Sequence, residues 1–407
     1  MPNVIGVRST GQAISEERLV RVVDADIGLL EPDLAPLITM LNFGQKQRKR
    51  TTSPRFEHFE DDYVARWAQN GSAAVANTTA STTVTVVDST LFVVGDLFVV
   101  PKAVTSSTAP EVCRVTAVNR TTHELTVVRN VGAAGVDTIS ASAALRLTGD
   151  AHEEKEAIGT SKTTTPAKIV GYTQIFRTVA EFTKTQIASE VYGAATGDRE
   201  REHKKKLREH KQKLNGAALF GRASESLTGG ASSRPIRTTD GLLARITTNI
   251  TNAGGVLTRK VFESYARQAF RYGKSEKTLL ASPIVISAIN QWATQFLLVK
   301  PSEKRFGVNV NEVQTGHGVW LLVRDWMLED GVTGQSGFAG QAFSIDLNEL
   351  FYRYLEDNGL NRDTKLTENV VQDGSDGVVD EILTEAGFQI KQEKFHARLF
   401  NCTDYSA

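Results

Sequence analysis

Apolar residues along the chain change period several times, and each change predicts a different element. Residues 1 to about 50 are thin in core-forming pattern; Asp24–Asp33 and Leu34–Phe43 hold apolar residues but also Pro32 and Pro36. They predict an extended arm that packs on something other than its own compact domain. From Ser72 to about Gly149 apolar residues alternate with Thr, Ala and Ser in short runs. The strand-like runs are Thr82–Val87, Asp96–Val100, Val112–Val118, Leu125–Arg129 and Ala143–Leu147, separated by Gly, Pro and Asn signals about 8–15 residues apart. That spacing predicts a small β-sandwich or barrel inserted into a larger element, after which the acidic stretch Asp150–Glu156 returns to the host domain. Thr163–Lys184 is again strand-like. With residues 51–68 it predicts a long two-stranded arm, which alone is marginal in water and so is expected to lie on other subunits.

The period then lengthens. Between Ala195 and Leu207 apolar residues nearly vanish, and they return as Leu207, Leu214, Ala217 and Ala218 at helical spacing. Ile187–Gly221 therefore predicts one long helix with a single thin seam. Pairs four apart, Glu200 with Lys204, Glu202 with Lys206 and Glu209 with Lys213, each add about 0.2–0.5 kcal/mol. Their sum, about 1 kcal/mol, is small against a backbone entropy cost of about 1–2 kcal/mol per residue. Neighbouring elements must hold this helix at both ends and along Leu207 and Leu214.

Beyond it, SESLTGGASSRPIR is a turn-rich connector and TTDGLLARITTNI begins a second globular unit. Val256–Tyr272 has helical spacing behind Gly254-Gly255, whereas Thr278–Ile289 and Gly318–Leu328 are predicted as buried strands or apolar element cores. Gly331–Gly340 is a mobile loop, Ala342–Leu347 resumes the sheet, and a helix or strand follows through Tyr352 and Tyr354. The final alternating segment is strand-like and is expected to pair back near the charged helix.

Charge refines this picture. Lys plus Arg and Asp plus Glu balance at 47 each, so overall charge selects no partner, and at 407 residues the chain has length for several domains. The balance is uneven: Asp198–Lys213 holds four acids and eight bases. Such a run is either a solvated face or a strut whose basic side meets a polyanion. A basic run ending in Arg48, Lys49 and Arg50 is followed at once by the acidic, aromatic FEHFEDDYVARW, with Glu57, Glu60, Asp61 and Asp62. These blocks either cancel within one subunit or meet head to tail between neighbouring copies, a heterologous contact that closes rings.

Catalytic and metal-binding patterns are not found. Cys113 and Cys402 form no C-x-x-C pair, and none of the seven His lies in an H-E-x-x-H motif. His152-Glu153-Glu154 fits a solvated surface better than a metal cluster, and lysines around His203 and His210 oppose a cation there. Gly331–Gly340 lacks a Gly-Lys-Ser/Thr ending, no Gly-x-Ser-x-Gly occurs, and Asp373–Gly377 is a turn rather than a calcium loop. No catalytic, cofactor-binding or metal residues are assigned, and an enzyme is not expected. The N-terminus has no apolar stretch of signal-peptide length, so a soluble chain kept in a cytoplasm, with no membrane partner, is expected.

The order of these parts resembles the major capsid proteins of tailed bacteriophages with the Hong Kong 97-type fold, most closely members carrying a β-domain in the extended loop. The resemblance rests on the arm ending at Arg50, FEHFEDDYVARW, YTQIFRTVAEFTKTQ, the charged helix ending in LNGAALFG, GLLARITTN, VWLLVRDWML with FSIDLNELFYRYL, and DEILTEAGFQIKQEKFHARLFN. It implies an α+β fold with an N-arm (1–50), an extended loop (51–185) carrying the inserted β-domain (72–150), and a peripheral domain on the spine helix (186–221). An axial domain (222–378) and a return strand of the peripheral domain (379–407) follow. The implied function is a virion shell protein that assembles in the host cytoplasm, through hexamers and pentamers, into an icosahedral capsid around double-stranded DNA.

Portal, and scaffolding or decoration proteins, are implied partners. In such shells the spine helix faces the interior, which would bring Lys204, Lys205, Lys206, Arg208, Lys211 and Lys213 near DNA phosphate without sequence readout. Gly331–Gly340 would be the axial loop at the capsomer centre. The short arm leaves no room for a long cleaved scaffolding segment, so a separate scaffold or none is expected. Another phage structural protein, of tail or baseplate, and a hydrolytic or carbohydrate-active protein with a β-domain are the alternatives.

Overall fold

The apolar runs Leu279–Ala281 and Trp320–Val323 sit on adjacent parallel strands covered on both faces, which is why they are continuous rather than alternating. The structure is a computed structural model that describes residues 35–43, 46–80, 82–102, 109–132, 135–155, 159–189, 198–293, 298–305, 308–329, 340–370 and 377–405. By packing, the chain divides into two units, one of residues 1–58 with 169–407 and one of Phe59–Lys168.

The larger unit contains two main sheets. In the first, Arg48–Thr51, Leu350–Asp357, Gly377–Ile390 and Gln174–Thr183 lie side by side in that order, and Lys365–Thr367 also pairs with Gly377–Ile390. Gln174–Thr183 alternates strictly, burying Phe176, Thr178, Ala180 and Phe182 and exposing the residues between. The second sheet has seven strands, in the order Ile250–Leu257, Ala397–Tyr405, Ala342–Ile345, Glu276–Ala281, Val319–Arg324, Val308–Gln314 and Leu298–Arg305. One face, with Leu279 and Trp320, packs on helices Arg259–Ala269 and Pro283–Ala293; the other, with Leu280 and Leu321, shares a core with the first sheet and the long helix.

Several expectations are corrected. Residues 36–43 are not an extended arm: Pro36–Phe43 is a helix whose Leu37, Ile38, Met40 and Leu41 are buried in the unit's own core, while Thr39 and Asn42 share its more open side. The long helix spans Asp198–Phe220 rather than beginning near Ile187, and Lys184–Ala188 is a separate short helix capped by the Thr183 hydroxyl. Gly254 and Gly255 do not lead into a helix. They lie in the strand Ile250–Leu257 with φ of +72° and +99°, and allow the register to slip against Ala397–Tyr405. The helix starts only at Arg259, where the Thr258 hydroxyl accepts from the Val261 N–H.

Thr278–Ile289 divides at Pro283, which opens a helix, and Gly318–Leu328 divides at Asp325, whose carboxylate accepts from the Met327 N–H of a 3₁₀ turn. The C-terminal segment is two strands in two different sheets, with Gln392 at φ +50° in the turn between them. The stretch 222–378 supplies strands to both sheets. Residues 1–34, 331–339 and 371–376, and with them most of the N-arm, the axial loop and the Asp373–Asp376 turn, lie outside the described residues.

The smaller unit is a six-stranded antiparallel sheet in the order Trp67–Gln69, Ala144–Asp150, Asp96–Val99, Val112–Asn119, Glu124–Val128 and Thr83–Thr85. Asn70 bridges Val86, so the two outer strands meet and the sheet closes into a barrel. Inward residues such as Phe98, Cys113, Val115, Leu125, Val127 and Leu145 form its core. A buried pair stands on that core: Arg129 donates from Nε and Nη2 to the two Glu111 carboxylate oxygens, both at 2.6 Å, and the N–H groups of Asn130 and Asp137 bond the same carboxylate. Burial raises the Glu111 carboxyl, and these bonds outweigh that, leaving it below the usual range. Burial and the nearby Glu111 push the Cys113 thiol up to about 12, so it is a structural and not a reactive cysteine.

Candidate assembly surface

Three features of the sequence make the long helix. Asp198 and Glu200 occupy its first turn, where carboxylates complement the helix dipole. Its interior is rich in Lys, Arg and Glu, which are good helix formers. It stops at Gly221, where a Cβ would lie only 2.8 Å from the Thr239 carbonyl oxygen. Arg199, His203, His210 and Leu214 recur at helical spacing along the side that packs on the first sheet.

At the N-terminal end of that side, Asp380 is fully buried and takes four hydrogen bonds from three residues. Arg199 donates from Nε and Nη2 at 2.7 and 2.6 Å, the Asn369 N–H donates at 2.9 Å, and His203 Nε2 lies 2.6 Å away. Burial alone would raise this carboxyl, yet the Arg199, Asn369 and His203 bonds pull it down to about 2. Halfway along, His210 is buried between two threonines. Its Nδ1 is 3.0 Å from Thr178 Oγ1 and its Nε2 is 2.8 Å from Thr384 Oγ1. Lys213 Nζ donates to Thr178 Oγ1 at 2.9 Å, and Thr384 Oγ1 donates to Thr364 Oγ1 at 2.9 Å. One proton arrangement satisfies the whole chain: Lys213 to Thr178, Thr178 to His210 Nδ1, His210 Nε2–H to Thr384, Thr384 to Thr364. Burial, with Lys213 nearby, lowers His210 to about 4 and keeps it neutral.

The six basic side chains expected on one surface separate into two groups. Lys206 Nζ binds Glu209 at 2.8 Å, and Lys213 is committed to Thr178 and the Arg177 carbonyl, so both are tied to the subunit. Lys204, Lys205, Arg208 and Lys211 lie on the side turned away from the sheet. There Lys204 makes a surface pair with Glu200 at 3.0 Å and Lys205 one with Glu202 at 3.6 Å. Such exposed pairs contribute about 0–1 kcal/mol each and exchange readily. Glu209 pairs with Lys206 rather than with Lys213. Leu207 keeps the seam spacing from His203, His210 and Leu214 and is 36% exposed.

The second charged surface is on the first sheet. Arg48 pairs with Asp363 of its own subunit and stacks over Tyr354. The Lys49 ammonium lies 3.7 Å from the centre of the Phe351 ring, and the Arg50 carbonyl accepts from Arg353 Nη1 at 3.4 Å. Glu57 pairs with Arg55 at 2.9 Å. In the smaller unit Asp61 and Asp62 are exposed and Glu60 is half-buried, and Phe59 and Tyr63 are 68% and 101% exposed.

A sequence profile of the SU10 major capsid protein family matches residues 6–403. The chain belongs to this family. It is a major capsid protein of a tailed phage, a virion component that builds a shell from copies of itself. Among solved structures it is similar to the capsid of an empty GTA particle, at 8% identity over 98% of this chain and 100% of that one, with a TM-score of 0.50. It is also similar to a chain of the Mycobacterium phage Bobi structure (8% identity, 98% and 99% covered, TM-score 0.47) and to the capsid of Myoviridae phage XM1 (9%, 96% and 99%, 0.44). A comparison with curated protein sequences finds no match. The fold is the Hong Kong 97-type capsid fold.

In this capsid protein, sequence reading missed Asp380, Thr178 and Thr384, the residues that hold the spine helix to its sheet. Asp380 is 181 residues from Arg199 along the chain. The available signal was the acid of DEILTEAGF in an otherwise alternating strand, which lies on the same face as Ile382 and Thr384. Lys391, which flanks Phe351 together with Lys49, and Arg353, which acts on Lys49, were also missed.

Proposed function

We propose that this capsid protein closes, through hexamers and pentamers, into an icosahedral shell around double-stranded DNA, with Lys204, Lys205, Arg208 and Lys211 turned toward the packaged phosphates. Membership of a major capsid family over nearly the whole chain carries the shell reading. The sorting of basic side chains on the spine helix supports the DNA reading, since Lys204 and Lys205 pair through exposed, exchangeable surface contacts. Contact would be electrostatic and blind to sequence. The subunit acts by binding and not by catalysis, assembles in the host cytoplasm, and meets a portal and scaffolding or decoration proteins at other surfaces. The acidic and basic blocks flanking residue 55 supply contacts between copies.

The test compares two variants. Reversing the outer group (K204E/K205E/R208E/K211E) is expected to lower DNA content per particle while subunits still fold and assemble, whereas K206E/K213E is expected to lower subunit stability. Equal DNA content in wild-type and outer-group particles rules out the interior assignment.

A further inference from the structure

We propose that Lys49, Arg353 and Lys391 form an anion seat that takes the acidic, aromatic stretch Phe59–Tyr63 of a second copy of this chain. Strand register builds the seat. Lys49 and Arg353 are direct partners on the parallel strands Arg48–Thr51 and Leu350–Asp357. Lys391 directly follows Ile390, the partner of Leu350 on the other side.

The Lys49 and Lys391 ammoniums sit 3.7 and 5.4 Å from the centre of the same Phe351 ring. Arg353 lies over the Phe56 ring at 6.0 Å and donates to Gln389 Oε1 at 2.9 Å. Three cations are thus fixed around two aromatic rings by backbone pairing, whatever their mutual repulsion. Partial burial, then Lys391 and Arg353, hold Lys49 below the usual lysine range. Glu349 is the acid that acts on this group, and its own carboxyl is raised by burial and by Asp346, which weakens its compensation. A carboxylate arriving from outside would relieve this repulsion.

The occupant is chosen by complementarity. Glu60, Asp61 and Asp62 are consecutive acids framed by Phe59 and Tyr63, which remain 68% and 101% exposed in the single chain. Large aromatic side chains left in water beside a block of acids mark a surface that a partner covers. Cations over aromatic rings suit both parts of that stretch, carboxylate to ammonium and ring to cation. Nucleic acid would satisfy the cations but leave Phe59 and Tyr63 uncovered. The inference rests on the shell reading for the supply of a second copy.

Two measurements separate the two readings. In the first, a labelled peptide of residues 57–64 is titrated into unassembled full-length subunit. Saturable, salt-sensitive binding is expected, weakened at least tenfold by K49E/K391E. No binding, binding indifferent to K49E/K391E, or displacement by a DNA oligonucleotide with no peptide effect overturns the seat.

In the second, particle formation is followed by sedimentation and negative-stain microscopy. K49E/K391E and E60K/D61K/D62K are each expected to lose particles with unchanged melting, and the chain carrying all five substitutions to regain them. Failure of that rescue also overturns the seat. Peptide binding in a protein that never forms particles leaves the seat standing and removes the shell. Particles that form without peptide binding do the reverse.

Discussion

Arg199 binds Asp380 through both carboxylate oxygens, at 2.6 and 2.7 Å, and so ties the first turn of the spine helix to the central strand of the first sheet. The aspartate is fully buried and Arg199 keeps some access to water. Asp380→Ala therefore leaves a guanidinium that can partly rehydrate, and the expected loss is about 3 kcal/mol, at the lower end for a broken buried pair. Chemical denaturation of the unassembled subunit measures it; a loss below about 0.5 kcal/mol, the range of an ordinary surface substitution, would show that the pair does not anchor the helix.

The same carboxyl sets an acid limit. Its folded pKa, about 2, lies below the ordinary aspartate value, so its contribution is complete above pH 4 or so and disappears as pH falls toward 2. Asp380→Asn should flatten the stability profile in that window and leave its slope unchanged near neutrality.

His210 and His396 act at milder pH. Burial, chiefly, lowers each to about 4. His396 is held neutral by the Asp346 N–H donating to Nδ1 at 3.3 Å, with Nε2 3.2 Å from the Lys391 carbonyl. The unfolded chain takes up these protons near pH 6.5 and the folded chain only near 4, so stability is present above 6.5 and falls as pH drops between those values. Each histidine contributes a slope of about 1.4 kcal/mol per pH unit there. Melting temperature measured from pH 7 to pH 4 should fall less steeply in His210→Gln; parallel curves would exclude the threonine-clamped histidine as a source.

In the barrel, Arg129→Met strands the Glu111 carboxylate in the interior and should cost about 3–5 kcal/mol. Replacing both partners, Glu111→Leu with Arg129→Met, should recover much of that loss. A double variant no more stable than the single would mean that the backbone N–H groups of Asn130 and Asp137, left without their acceptor, dominate the cost.

Elements that bury one face were legible in the sequence. The alternation in Val112–Asn119 and Glu124–Val128 is the inside and outside of the barrel, and Leu214 and Ala218 of the thin seam in the spine helix are on its buried side. Elements covered on both faces were legible as buried but not in type, since a run such as TLLASPIVI fits strand and helix equally until Pro283 is recognised as a first helical residue. Pro36–Phe43 failed because eight residues make only about two turns, too short a stretch for the polar side formed by Thr39 and Asn42 to stand out as a period. The candidate surface was half legible. Composition marked the basic helix, but which lysines turn outward depends on Asp380, Thr178 and Thr384, brought there by strand pairing across more than 170 residues.

Strand order also governs when a subunit can exist at all. Gly377–Ile390 is central in the first sheet and Ala397–Tyr405 sits inside the second, between Ile250–Leu257 and Ala342–Ile345. A chain emerging from the ribosome therefore holds two sheets with gaps in their middles until nearly everything before those strands has been translated. Its barrel, whose strands all fall between residues 67 and 150, can fold long before. Synthesis thus delays the appearance of surfaces on which sister copies dock, and half-made chains have no finished face with which to join a growing shell.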